Sequence, residues 1–176
     1  MIIATFTSGN KTLIGFRKDG EEDSLREIDS RILFEDPTKL VGRFLSLISN
    51  LFGVDALTKS CKLVFAIDGI VDEEKREIVF SEKLNDISST KLFDGFSFAN
   101  AFGEIVGEKN IFLLNDSNVI AAGVVSDLEV DIKLPALSMY IDQHVGISII
   151  KNNGILNYPT SFVPIESLDN LISHCF

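Results

Sequence analysis

Two short runs of apolar residues most constrain what this chain can fold into. They span Leu63 to Ile67 and Ile111 to Leu114, each of strand length and without polar alternation. Such a pattern fits strands that are buried on both faces of a sheet. Polar residues end both runs: Asp68-Gly69 follows the first and Asn115-Asp116-Ser117-Asn118 follows the second. We therefore predict a sheet with buried central strands.

The segments before the first run predict an antiparallel meander. Ile2 to Phe6 and Thr12 to Phe16 are rich in β-forming residues, and the turn-forming sequence Ser8-Gly9-Asn10 lies between them. Leu25 to Phe34 alternates more weakly and is interpreted as a third strand.

The period changes after Asp36-Pro37, which is typical of a helix start. Apolar residues from Leu40 to Phe52 follow at spacings of three and four, and Gly53 ends the pattern. Further helices are predicted in three places: Phe96 to Val106, Val119 to Val125, and a last helix opened by Pro164. Further strands are predicted over Glu77 to Phe80, Leu137 to Ile141 and Val145 to Ile150. Alternating strands and helices after a meander predict an α/β domain with a mixed sheet.

Composition narrows the class of protein. The formal charge of -10 makes nucleic acid and anionic membranes poor partners. The 14 Phe residues against no Trp favour core packing over a stacking surface. Cys61 and Cys175 fit reduced thiols, and no run approaches the length needed to span a bilayer. The N-terminus lacks the basic segment of a secretory signal, so we expect a soluble, cytoplasmic protein. Two cysteines without a short spacing do not make a zinc site, so we expect no metal site.

Asn115 and Asp116 are the best candidates for chemistry. They leave a buried strand at its carboxyl end, where ligands bind in α/β sheets. A carboxylate there can accept a hydroxyl proton, and an amide can hydrogen-bond a neighbouring hydroxyl. The simpler alternative is that Asp116 or Ser117 only caps the following helix.

Three segments resemble the ROK and bacterial glucokinase families. Val64 to Asp72 (VFAIDGIVD) resembles their strand and G-x-V-D loop, and Leu114 to Gly123 (LNDSNVIAAG) resembles their E-N-D-A-N-A-A-A-L-G segment. Tyr140 to Ile150, followed by Asn153 to Leu156, resembles the hairpin T-L-G-T-G-I-G-G-G-I-I-I-N-G-K-L. The resemblance covers most of the chain, and the Asn-Asp segment is its most specific part.

The resemblance implies a fold and a set of roles. It implies a ribonuclease-H-like (actin-like ATPase) mixed sheet with helices on both faces over residues 1–130. Residues 131–176 would then be a partial second domain with a strand hairpin and a terminal helix. Asp116 corresponds to the base that takes the proton from a sugar hydroxyl, and Asn115 to a residue that binds sugar hydroxyls. Glu166 corresponds weakly to a further sugar-binding residue.

The departures from the family pattern concern the nucleotide. The family opens with D-x-G-G-T, but here Thr5 replaces the magnesium-binding Asp and only Gly9 remains of the glycines. The second phosphate loop, G-T-G-x-G-G-G, keeps only Gly146 and gains the negative charge of Asp142. The chain given ends at Phe176, before the family's adenosine-binding part. Phosphoryl transfer is mostly positioning and charge neutralisation, so these departures predict a degenerate kinase.

Three hypotheses remain open. The first is a pseudoenzyme that binds a sugar-like ligand without ATP hydrolysis and without a cofactor. The second is a kinase-derived module for protein–protein interaction or homodimerisation, with exposed strands that pair with a partner or with a second copy. The third is an active hexose kinase that uses Mg-ATP and is completed by another subunit.

Overall fold

A computed structural model describes residues 1–18, 20, 22–53, 57–89, 93–127, 135–141, 144–151, 154–157 and 163–164. By its contacts the chain divides into two compact units, Met1–Leu114 and Asn115–Phe176. The helix that follows Asn115 contacts the strands of the second unit, and the domain boundary at residue 130 stays a prediction. Each unit is described by itself.

The first unit contains seven strands and four α-helices among its described residues. The strands are β1 (Ile2–Ser8), β2 (Lys11–Arg17), β3 (Ser24–Asp29), β4 (Lys62–Ile67), β5 (Ile70–Asp72), β6 (Glu77–Phe80) and β7 (Ile111–Asn115). The helices are α1 (Arg31–Phe34), α2 (Leu40–Phe52), α3 (Glu82–Ile87) and α4 (Phe98–Val106). Short 3₁₀ turns precede α2 and β7, at Pro37–Lys39 and Glu108–Asn110.

Five of these strands form one mixed sheet in the order β3-β2-β1-β4-β7. β1, β2 and β3 form the predicted antiparallel meander. β4 adds to the other edge of β1 in parallel, from Ile2 opposite Lys62 to Thr7 opposite Ile67. Both apolar runs therefore lie beyond the meander, as β4 and β7, and the predicted α/β mixed sheet is confirmed. The burial on both faces that was predicted for the second run is wrong, because among the described residues β7 is an edge strand and its Phe112 side chain is 40% exposed. β5 and β6 form a separate hairpin.

The core of the first unit is built around Phe65 of β4. Phe65 is 1% exposed, and its ring lies 5.5 Å from that of Phe44 in α2. The rings of Phe98 and Phe102 in α4 lie 4.4 and 5.3 Å from it. Both helices therefore pack on one face of the sheet through aromatic contacts, and the prediction that Phe serves the core is confirmed.

The third predicted strand is only half right. Strand β3 ends at Asp29, and α1 begins at Arg31. The chain changes from strand to helix at Ser30, which is fully buried. Its N–H donates a hydrogen bond to Asn10 O at 2.9 Å, and its hydroxyl donates one to Gly9 O at 3.1 Å. Leu33 and Phe34 then turn into the core on a helical rather than a strand period.

The helix predicted over Leu40 to Phe52 is confirmed as α2. Asp36 Oδ1 accepts the Thr38 N–H at 3.0 Å ahead of it, and Gly53 ends it with a left-handed φ of 64°. Phe44 and Ile48 face the core, as the apolar period predicts.

The described part of the second unit contains a four-stranded sheet and one helix, α5 (Asp116–Asp127). Strand β8 (Ala136–Ile141) pairs antiparallel with β9 (His144–Lys151). On its other edge β9 pairs with two short strands: β10 (Gly154–Asn157) along its C-terminal half and β11 (Val163–Pro164) along its N-terminal end. Helix α5 contacts β8, β9 and β10.

One prediction for this unit needs comment. Pro164 was predicted to open a helix but lies in β11 opposite His144, at an edge where its missing N–H is tolerated. The remainder of that predicted helix lies outside the described residues.

Truncating Phe65 should destabilise the first unit strongly. We expect Phe65→Ala to lower the free energy of unfolding by about 3–5 kcal/mol, because it removes ring contacts to two helices at once. The matched control is Phe112→Ala on β7, whose side chain is 40% exposed and should cost much less. Urea denaturation of both variants tests this; equal losses would contradict the assigned core.

Gly69 should be intolerant of a side chain. An added Cβ would lie 2.5 Å from Phe80 O and 2.9 Å from Ser81 Cβ, so we expect Gly69→Ala to cost about 1–3 kcal/mol. Gly42 in α2 has open space around it, and Gly42→Ala should instead stabilise by about 0.5–1 kcal/mol. Thermal unfolding of the two variants should shift in opposite directions.

Candidate functional site

The candidate site begins where strand β7 becomes helix α5. β7 ends at Asn115 and α5 begins at Asp116, so Asn115 occupies the N-cap position. Asn115 Oδ1 accepts the Ser117 N–H at 2.9 Å and also the Ser117 hydroxyl. This is N-cap geometry, and it satisfies a helix N–H that has no partner within the helix. The capping residue is therefore Asn115, whereas the sequence suggested Asp116 or Ser117.

Asp116 is the first residue of α5 and the acid of the candidate pair. Its Oδ1 accepts the Ser117 N–H at 2.8 Å, and the residue is 8% exposed. A helix N-terminus favours negative charge, because its unpaired N–H groups carry a partial positive charge. The site thus holds a carboxylate at the start of a helix, in contact with the backbone.

Strand β9 is joined to the first turn of α5 by hydrogen bonds from one side chain. Ser148 of β9 is fully buried, and its hydroxyl donates to Asn118 Oδ1 at 2.8 Å. The Ser148 hydroxyl also lies 3.5 Å from Ser117 Oγ. We call these side chains the polar cluster; all are buried, and its members are Asn115, Asp116, Ser117, Asn118 and Ser148.

Ser148 was missed from the sequence, although a signal for it existed. In β9 the alternation places Ser148 on the same face as Ile150, which is also buried. A serine at a core-facing position needs a hydrogen-bond partner, and the polar start of α5 provides one.

Gly9, predicted as the remnant of a phosphate loop, lies in the turn between β1 and β2. Its φ is +57°, in the left-handed region, and no atom lies within 4 Å of the place where a Cβ would be. Its carbonyl accepts the Ser30 hydroxyl. The turn conformation, rather than a close approach of another group, accounts for the glycine.

Thr5, which stands where the resembling families have an acidic residue, is 2% exposed on β1. Its Oγ1 has no hydrogen-bond partner among the described residues. Nearby on the same sheet face, Thr7 and Thr12 join their hydroxyls at 3.1 Å, and Thr12 continues to Ser30 at 2.9 Å. This part of the sheet therefore presents buried hydroxyl groups, at the position where the resembling families have a carboxylate.

The other predicted residues fall in different settings. Gly146 lies inside strand β9, opposite Tyr140 in a regular antiparallel ladder. Glu166 and Asp142 lie outside the described residues, so their predicted roles stay predictions.

The loop that resembles G-x-V-D is held by an ion pair. Asp72 Oδ1 accepts the Lys75 N–H at 2.9 Å, and Asp72 Oδ2 lies 2.9 Å from Lys75 Nζ. The backbone hydrogen bond from Lys75, with its ammonium group, lowers the pKa of Asp72 below its usual value. Asp72 therefore has a turn-stabilising role here.

The described part of the chain contains no group of three or more His, Cys, Asp or Glu residues placed to hold a metal ion. Within the same residues, no helix combines the length and the apolar character needed to cross a membrane.

Solved structures with the same fold are sugar kinases and their relatives. A ROK family protein from Streptococcus pneumoniae, in complex with sucrose, matches with a TM-score of 0.63 and 16% identity, over 93% of this chain and 50% of its own. A ROK family glucokinase from Streptomyces griseus, in complex with glucose and AMPPNP, gives 0.61 and 13%, over 88% and 46%. A ROK family transcriptional regulator, a homologue of the E. coli MLC protein, gives 0.62 and 15%, over 93% and 39%.

These matches confirm the ribonuclease-H-like fold and its resemblance to ROK proteins. The chain spans about half the length of the solved structures it matches. No family model matches the sequence, and no curated protein matches it.

The cap at Asn115 can be tested by itself. We expect Asn115→Ala to lower the free energy of unfolding by about 1 kcal/mol, whereas Asn115→Ser should remain within about 0.5 kcal/mol of the parent, because serine caps as well as asparagine. Urea denaturation measures both. Equal losses in the two variants would contradict the assigned cap.

Proposed function

We propose that this chain, which has a sugar-kinase-like fold, binds a sugar-like ligand through Asn115 and Asp116 and does not transfer phosphate to it. The observation that carries the proposal is the Asn-Asp pair itself, held by the polar cluster at the start of α5. The third hypothesis, an active hexose kinase, predicts a different result in the same experiment.

The chemistry of the pair suits a polyhydroxyl ligand. A carboxylate accepts hydrogen bonds from hydroxyl groups, and an amide donates and accepts them. Both side chains are placed by bonds to one residue, Ser117. A residue oriented in this way has already lost part of its conformational freedom, which lowers the cost of binding.

The described positions that correspond to the family's magnesium-binding and phosphate-binding residues lack the chemistry of those residues. Thr5 offers a neutral hydroxyl where magnesium would need a carboxylate, since Mg²⁺ prefers charged oxygen ligands. Gly146 lies in a regular strand, whereas a phosphate-binding loop turns several N–H groups toward the ligand. The chemistry of these residues therefore does not fit Mg-ATP, which supports the proposal that the chain does not transfer phosphate.

The neighbours guide the choice of ligand. The structures described above contain sucrose in one case, and glucose with AMPPNP in another. We therefore expect a mono- or disaccharide here, with glucose and sucrose as the first probes. N-acetylmannosamine is the third probe, because a putative N-acetylmannosamine kinase from Listeria monocytogenes has a similar fold.

Thermal unfolding with each sugar, with and without Mg-ATP, tests the proposal. A sugar at about 100 times its Kd should stabilise the chain by roughly 2.7 kcal/mol, and Mg-ATP should add nothing. Asp116→Asn and Asn115→Ser should each reduce the sugar effect. Asn115→Ser separates recognition from capping, because it keeps the cap and removes the amide.

Asp86→Asn is the matched control, since Asp86 is an exposed aspartate in α3; its response to sugar should equal that of the parent. Absence of any shift with all three sugars, or an equal shift in Asp116→Asn and the parent, would contradict the binding site. Sugar-dependent ATP turnover would contradict the claim that the chain does not transfer phosphate.

A further inference from the structure

Ser148 is a buried polar side chain on a strand of the second sheet that is paired on both edges. The backbone of β9 at this point lies between Ser138 of β8 and Asn157 of β10. Ser148 is fully buried, and its hydroxyl donates to Asn118 Oδ1 at 2.8 Å. A residue held on both sides by the sheet therefore reaches the first turn of α5 with a hydrogen bond.

The first turn of α5 depends on such bonds, because it contains no apolar side chain. Residues 115–118 are Asn, Asp, Ser and Asn, whereas most helices in proteins are held by the packing of an apolar face. The first fully buried apolar residue of α5 is Ala121, in the next turn. Hydrogen bonds to buried partners therefore fix the turn that carries Asn115 and Asp116.

Ser117 connects the bond from Ser148 with the Asn-Asp pair. The Ser117 N–H donates to Oδ1 of Asn115 at 2.9 Å and to Oδ1 of Asp116 at 2.8 Å. Its Oγ lies 3.5 Å from the Ser148 hydroxyl, and the next residue in the chain is Asn118. A shift of this turn relative to β9 would therefore change the bonds of Ser148 and the positions of the pair together.

The position of Ser148 belongs to the segment that resembles a phosphate loop. Matched to G-T-G-x-G-G-G, Ser148 stands at the last glycine, two residues after the retained Gly146. A glycine has no side chain that could reach Asn118. In this chain, a position of the nucleotide pattern therefore contacts the helix that carries the proposed sugar site.

We propose that Ser148 is a positioning residue of that sugar site: it holds the first turn of α5 on β9 and so places Asn115 and Asp116 before a ligand binds. This inference rests on the proposed function. Placing the binding groups in advance improves affinity, because less conformational freedom is lost on binding. A purely structural role would lower stability alone and leave the affinity of the folded protein unchanged.

The sugar affinity of folded variants tests this role. Calorimetric titration uses whichever of glucose, sucrose and N-acetylmannosamine the parent binds, at a temperature where circular dichroism shows every variant to be folded. Ser148→Ala should raise the Kd about three- to ten-fold, as expected for the loss of one hydrogen bond. The matched control is Ser138→Ala, which removes a hydroxyl directly opposite on the neighbouring strand and should keep the Kd of the parent.

A double variant separates a residue that acts through Asn118 from one that acts alone. Asn118→Ala removes the acceptor, so adding Ser148→Ala should leave the Kd within about two-fold of that of Asn118→Ala. An unchanged Kd in Ser148→Ala, or additive effects of the two substitutions, would overturn the positioning role and leave the proposed function intact. A parent that binds none of the three sugars would overturn both.

Discussion

The burial of Phe65 is the interaction on which the first unit depends. Its ring packs against Phe44 of α2 and against Phe98 and Phe102 of α4, so one residue of a central strand holds two helices. The same alternation that turns Phe65 inward turns Leu63 and Ile67 inward. A slip of β4 by one residue along β1 would expose all three side chains, so this core also determines the register of the sheet.

The elements that could be predicted from sequence are those with long or uniform patterns. These are the apolar runs of β4 and β7 and the apolar period of α2. In each, many residues fit the same type of secondary structure. The elements that were missed are short: α3 buries only Leu84 and Ile87, and α1 is a single turn. Their conformation depends on tertiary bonds, such as those of Ser30 to the β1–β2 turn, which one sequence does not reveal.

The candidate site could be predicted from its position after an apolar strand. The hydrogen bonds within it could not. The sequence suggested capping and ligand binding as alternatives, whereas the geometry makes them compatible. Asn115 caps α5 through its side-chain oxygen, and a cap of this kind orients the residue that follows. The core-facing position of Ser148 could be predicted from the alternation of its strand, but its partner Asn118 could not, because the two residues lie 30 positions apart in sequence.

The positions that correspond to the family's nucleotide-binding residues have structural roles in this chain. Gly9 serves a turn, Thr5 is buried on the sheet, and Gly146 belongs to a regular ladder. We propose accordingly that Asn115 and Asp116 still bind a sugar, whereas the positions that correspond to nucleotide-binding residues no longer bind Mg-ATP. Parallel calorimetric titrations of the full chain with glucose, sucrose and Mg-ATP test it most directly. The account predicts saturable heat from a sugar and none from Mg-ATP; saturable binding of Mg-ATP, with no heat from either sugar, would contradict it.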